Sequence, residues 1–263
     1  MSYNIDLGGR MKGCVRIVVD VPDETLDERF AAYEKEKQAA HIAWIGYNKK
    51  CAVGDDLPKS HGTRHMIRTA MTIVMNSYDW IKQFSLMDAS KVDCKDYEVS
   101  LLHSYLSLYG KTYYEKYIHA YLQENSNRMR YNAGVKLLHD NVIPLGNICS
   151  FIQNQEYQGI VKKVYDPNIT NIQFFNQLKD KCTKDGFAYC EVTSNWLDAL
   201  INRFFTGKVL TQLWVIDTAD VVKIQTLEWS DDVDFKQIMK KHMVAQEEFS
   251  KGGASAYFGD EEL

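Results

Sequence analysis

The sequence predicts an α/β or α+β fold, a mixed central sheet with flanking helices, from three observations. Short β-branched runs interleave with segments whose apolar residues recur every three or four positions, so strands and helices alternate along the chain. Hydrophobic residues make up 45% and charged residues 25% of the 263, the balance of a chain that buries a core. Four prolines and 15 glycines are too few for a long flexible linker. Two closely packed halves are therefore expected, 1–150 and 151–263, with the pattern changing after Pro144.

Cys14 to Val21 are compact and β-branched, which predicts a largely buried strand ended by Pro22-Asp23. Leu26, Phe30, Tyr33, Ala40 and Trp44 fall on one face of an expected helix. Gly54 to Thr63 reads as a loop, with turn residues and Pro58. A helix from about Thr63 to Ser77 follows, with Ile67, Ala70, Met71 and Val74 inward. Ile81 to Met87 alternates as a strand does, and Asp88-Ala89-Ser90 ends it. Val99 to Leu108 fits both periods, whereas Thr112 to Gln123 predicts a helix.

In the second half, Gly159 to Tyr165 reads as a strand and Asn168 to Cys182 as a helix with Ile172, Phe175 and Leu178 inward. Ser194 to Phe205 reads as another helix. Val209 to Ile216 and Val221 to Trp229 predict an antiparallel hairpin turning through Asp217 to Asp220. A last helix is expected from Asp232 to Phe249, ahead of a Gly- and acid-rich tail.

Charge and cysteine usage narrow the function classes. A net charge of −4 and a pI near 6.0 supply no global field for nucleic acid, which is not expected as a partner. Lys111, Lys116, Arg128 and Arg130 interleave with Tyr113, Tyr114, Tyr117, Tyr121 and Tyr131, a mixture that can stack bases. The same pattern suits a tyrosine-rich amphipathic helix with a solvated basic edge, and the charge balance favours that. The six cysteines stand singly, as reduced thiols of a cytoplasmic protein do. No secretory leader or apolar run of spanning length is present, so a soluble protein away from the membrane is expected.

Among candidate sites, Lys59-Ser60-His61-Gly62-Thr63-Arg64 would set unpaired N–H groups and basic side chains at a helix start, an arrangement that holds phosphate. A strand follows, then a helix containing Tyr114-Glu115-Lys116-Tyr117-Ile118. Other motifs fall short. Gly110-Lys111-Thr112 imitates the end of a P-loop, but position 105 is Tyr. His61 and His65 lack a third metal ligand. Asp217, Asp220, Asp231, Asp232 and Asp234 suit a solvated edge and a helix cap.

In this order, residues 58–122 resemble the second half of the fold of the GNAT family of N-acetyltransferases. There a glycine-bearing loop and helix hold the acyl-CoA pyrophosphate, and a tyrosine on a later helix protonates the leaving thiolate. The resemblance implies acetyl-CoA as cofactor, with Lys59, Gly62, Thr63 and Arg64 binding it. It also implies Tyr114 as general acid, and Asp88, at the end of the central strand, is placed to deprotonate an amine. The family has a small residue where Arg64 stands. The competing readings are a core-facing Tyr114 and an Asp88 that caps its turn. The same stretch, with Gly110-Lys111-Thr112-Tyr113-Tyr114-Glu115-Lys116, also looks like proteins of large eukaryotic DNA viruses. Two functions therefore stay open: an acyltransferase acting on a small-molecule or protein amine, and a non-catalytic interaction or structural protein; a cytoplasmic location is expected, in the host cytoplasm or virion if the source is a virus.

Overall fold

The computed structural model describes residues 2–7, 15–20, 39–45, 59–94 and 97–221. Six strands form one mixed sheet in the order β1-β2-β3-β4-β8-β7. β1 (Ser2–Leu7), β2 (Val15–Asp20) and β3 (Ala39–Ile45) make an antiparallel meander. Val15, Ile17, Val19, Ala40 and Ile42 are buried while Arg16 on the other face is exposed and paired with Asp6 at 2.8 Å, the period-two pattern of a sheet with one wet face.

After β3 comes α1 (Lys59–Ser77), which buries Met66, Ile67, Ala70, Met71 and Val74. β4 (Gln83–Met87) then lies parallel to β3, the one parallel pair among the described strands of this sheet. A parallel return needs a crossover, and α1 lies within it. The ladder runs from Ala39↔Gln83 to Ile42↔Leu86; residues 43–45 of β3 run on beyond it. On its other side β4 pairs antiparallel with β8 (Leu213–Asp217), and β8 with β7 (Tyr121–Leu122). Phe84, Ser85 and Leu86 of β4 and Trp214, Val215 and Ile216 of β8 are all buried, so both faces of these central strands are covered.

A separate hairpin, β5 (Lys91–Cys94) with β6 (Tyr97–Ser100), branches off behind β4. Ser100 then caps α2 (Leu101–Tyr109), accepting from the His103 N–H, which resolves the segment that fits both periods into a strand end and a helix. Gly110 closes α2 at φ 62°, where a Cβ would also strike the His139 ring. α3 (Tyr113–Ile118) opens on a capping box: Thr112 Oγ1 accepts from the Glu115 N–H, and the Glu115 carboxylate accepts from the Thr112 N–H.

α4 (Asn125–Asp140), α5 (Leu145–Cys149), α6 (Gln155–Val164), α7 (Asn171–Lys184), α8 (Tyr189–Thr193) and α9 (Leu197–Ile201) complete the helical part. Buried Asn171 ties α7 to the end of α4, accepting from the Ile143 N–H and donating to the Leu138 carbonyl. Among the described residues, no helix is long and apolar enough to cross a membrane.

Several expectations are corrected. Ala40 and Trp44 belong to strand β3, not to a helix, because pairing with β2 and β4 overrides helical spacing; Leu26, Phe30 and Tyr33 lie outside the described residues. Of the expected strand 159–165, residues 159–164 fall in helix α6 and Tyr165 ends it: Asn154 caps the helix start, accepting from the Glu156 and Tyr157 N–H groups, and Ile160 and Val161 face inward. The expected Thr112–Gln123 helix stops at Ile118, where His119 turns left-handed at φ 55° and frees Tyr121–Leu122 to pair with β8. The expected Val209–Ile216 strand starts only at Leu213, after a 3-10 turn at Val209–Thr211. Residues 218–221 are helical, so no tight turn follows there, and 222–229 and 232–249 lie outside the described residues.

The expectation of six reduced thiols also fails, since Cys94 on β5 and Cys190 on α8 form a disulfide. They are 96 positions apart, so only the tertiary fold brings them together. Cys149 and Cys182 are free, and burial pushes the Cys182 thiol up to about 11.

Candidate active site

β4 ends with a parallel neighbour on one side and an antiparallel one on the other, where the sheet changes direction. Such carboxyl ends are where open α/β sheets place ligands. The first residue past β4 is Asp88. Its Oδ1 accepts from the Ser90 hydroxyl at 2.5 Å and from the Ser90 N–H at 3.3 Å, so it does hold the turn as a capping aspartate would. Its Oδ2 is buried and accepts no hydrogen bond. Burial raises the Asp88 carboxyl above the ordinary carboxylate range, against the Ser90 hydrogen bonds and the nearby His103 ring.

Tyr114 reaches the same point from α3. Its side chain is 6% exposed. Burial, and after it the Asp88 charge, push its phenol well above the usual tyrosine range. The Ser90 side chain acts on the phenol against that rise, and the Ser90 hydroxyl donates to Asp88 Oδ1. Tyr114, Ser90 and Asp88 thus meet at one point across 26 positions of sequence, with an open acceptor at Asp88 Oδ2.

Sequence reasoning singled out Asp88 and Tyr114 but treated Ser90 only as a turn residue, and missed the groups around them. Tyr131 of α4 donates to Glu115 Oε2 at 2.6 Å, and burial with the Glu115 charge lifts its phenol above the ordinary range. His103 sets Nδ1 3.0 Å from Asp198 Oδ1 and Nε2 3.2 Å from Asn202 Oδ1. The local signals were the two-residue spacing of Asp88 and Ser90 and the Thr112-x-x-Glu115 box. Nothing local announced Asp198 or Asn202.

The expected phosphate-binding residues sit differently. The chain is already helical at Lys59, so Gly62 and Thr63 lie inside α1 and the Thr63 N–H falls to the Lys59 carbonyl. The helix start expected at Thr63 is moved at least one turn back. Arg64 lays its guanidinium 4.4 Å from the centre of the Tyr117 ring, and with Arg68 it acts on the Tyr113 phenol against the rise that burial causes. Arg68 also donates to the Tyr117 carbonyl at 3.1 Å. α1 and α3 are therefore joined by guanidinium–tyrosine contacts.

Tyr113, Tyr114 and Tyr131 are buried at 6%, 6% and 4% exposure, so their faces are closed to nucleobases. Among the described residues, no group of three or more His, Cys, Asp and Glu can hold a metal ion. A shallow concavity of about 490 Å³, lined by Glu156, Gly159, Ile160, Lys163, Asp185 and Phe187, includes none of the expected site residues. Compared with protein-family models, curated proteins and solved structures, the chain matches none of them.

Proposed function

We propose that the chain is an acyl-CoA-dependent N-acyltransferase, with acetyl-CoA as donor and a small-molecule or protein amine as acceptor. The observation that carries this reading is that Tyr114 and Asp88, with Ser90 beside both, come together at the carboxyl end of β4, next to the point where the β3–β4 ladder stops. The amine nitrogen attacks the thioester carbonyl, the C–N bond forms and the C–S bond breaks. The amine proton passes to Asp88 Oδ2, and Tyr114 gives its proton to the departing thiolate. Asp88 then releases its proton to solvent and the phenolate takes one up, so the enzyme ends as it began. A carboxylate raised above its ordinary range is a better base.

Calorimetry with acetyl-CoA and an assay of free CoA thiol over a panel of amines test this. Tyr114→Phe should lower kcat by about two orders of magnitude or more, as loss of a positioned acid does, with acetyl-CoA affinity unchanged. No binding heat and no thiol release with any amine would end the reading.

A second reading, a non-catalytic interaction protein, draws on Met129 and Leu137, 68% and 50% exposed and eight positions apart on α4, and on Val142, 38% exposed beyond its end. Replacing both Met129 and Leu137 by Glu would abolish partner binding in that case and leave acyl transfer untouched. Of the two expected locations, the Cys94–Cys190 bond fits a virion surface better than the reducing cytoplasm. Thiol titration of protein isolated from its native source, without reductant, distinguishes them.

A further inference from the structure

Lys116 directs its ammonium at rings rather than oxygens. Its Nζ lies 3.2 Å from the centroid of the Tyr109 ring, 5.2 Å from that of Tyr117 and 5.8 Å from that of Tyr105. Among the described residues, no carboxylate lies within ion-pair distance of it. Tyr105 and Tyr109 are one turn apart on α2, and the Gly110 turn brings Tyr117 of α3 against them. The rings meet at angles, 45° between Tyr105 and Tyr109 and 74° between Tyr105 and Tyr117, so they wall a space instead of stacking. Buried Tyr113 backs this wall edge-on, 5.3 Å from Tyr105. Tyr109 is 38% exposed, so the space opens to solvent.

A lysine ammonium is a poor match to such a space. It carries three strongly hydrated N–H donors, and a ring face satisfies them only weakly. A methylated ammonium keeps the charge that the ring faces attract, has fewer donors or none to satisfy, and buries methyl groups as well. Lys116 has a flexible stem and can swing into solvent.

We propose that Tyr105, Tyr109 and Tyr117 form a binding cage for the methylated ammonium group of a ligand, with Lys116 as the internal occupant that this group displaces. The inference does not depend on the acyltransferase reading.

The test is a titration of the full chain with ammonium, methylammonium and tetramethylammonium chlorides at matched ionic strength, followed through the ring-proton NMR signals of Tyr105 and Tyr117. Affinity should rise with each step of methylation. Lys116→Ser should tighten tetramethylammonium binding by about tenfold by removing the competitor, and Tyr109→Ala should abolish it. Tyr109→Phe should keep wild-type affinity within about twofold, since a phenyl face also attracts cations; it stands in should the alanine variant misfold. No saturable shift in Lys116→Ser, or equal affinity for ammonium and tetramethylammonium, would overturn the cage.

Discussion

Two clusters that meet at α3 use the same residue type in opposite ways. In one, Tyr114 is buried against Ser90 and Asp88, beside the Glu115–Tyr131 pair. In the other, Tyr117 joins Tyr105 and Tyr109 around the Lys116 ammonium, reached partly by solvent. The first set works through its hydroxyls and depends on every donor finding an acceptor. The second works through ring faces and tolerates changes at the hydroxyl. The difference teaches that a run of tyrosines, Tyr113-Tyr114-x-x-Tyr117, has no single meaning. Its helical phase sends each ring to a different neighbour.

The strongest way to break the buried cluster is from a distance. Cys94 closes the β5 arm that begins immediately after Ser90, and Cys190 anchors it to α8. Replacing both cysteines by serine should cost up to about 4.7 kcal/mol of stability, the entropic worth of a loop of this length, read as a lowered urea midpoint. An unchanged midpoint would mean that the crosslink adds nothing to the folded state. A smaller loss, about 1 to 2 kcal/mol, is expected for Tyr131→Phe, which deprives Glu115 of a buried donor. The corresponding Tyr105→Phe change in the cage should be near neutral, so equal losses at the two positions would erase the contrast between the clusters.

Asp88→Asn should act in the other direction. Because burial raises the Asp88 carboxyl in the folded chain above its ordinary 3.8, the folded state binds this proton more tightly than the unfolded state does. Wild-type stability therefore falls as pH rises from the ordinary aspartate range through the raised value. The asparagine variant lacks that loss. Its melting midpoint should exceed the wild type's at neutral pH and converge with it in acid; a lower midpoint at neutral pH would mean that the charged carboxylate is well satisfied where it sits. The smallest effect belongs to the cage. Lys116→Met should change stability by no more than about 0.5 to 1 kcal/mol, the range of an exposed cation–π contact, while making the Tyr109 signals more sensitive to added tetramethylammonium.

The sequence revealed strands and helices wherever burial follows their own period. Val15 to Val19 and the inward row of α7 are legible because their patterns match what they bury. It misled where long-range pairing decided the matter. Ala40 and Trp44 fit a helix in isolation, yet β2 and β4 claim that segment from both sides. Tyr121 and Leu122 continue a helical pattern until His119 breaks it and β8 offers an edge. The site followed the same rule. Asp88 and Tyr114 were findable by residue type and order along the chain, whereas Asp198 and Asn202 come to His103 from about a hundred positions away.

The Cys94–Cys190 bond also decides how the molecule would yield to a pulling force. The crosslink short-circuits residues 95–189, so tension applied at the two ends passes through the sulfur atoms and leaves α2 to α7 unloaded. In a single-molecule stretching trace the oxidised chain should extend roughly 300 Å less than the reduced chain, at an extended length of about 3.4 Å per bypassed residue. The load would fall on the outer strands, and β1, the edge of the sheet held only by β2 among the described strands, would peel before the tyrosine-bearing helices felt any strain.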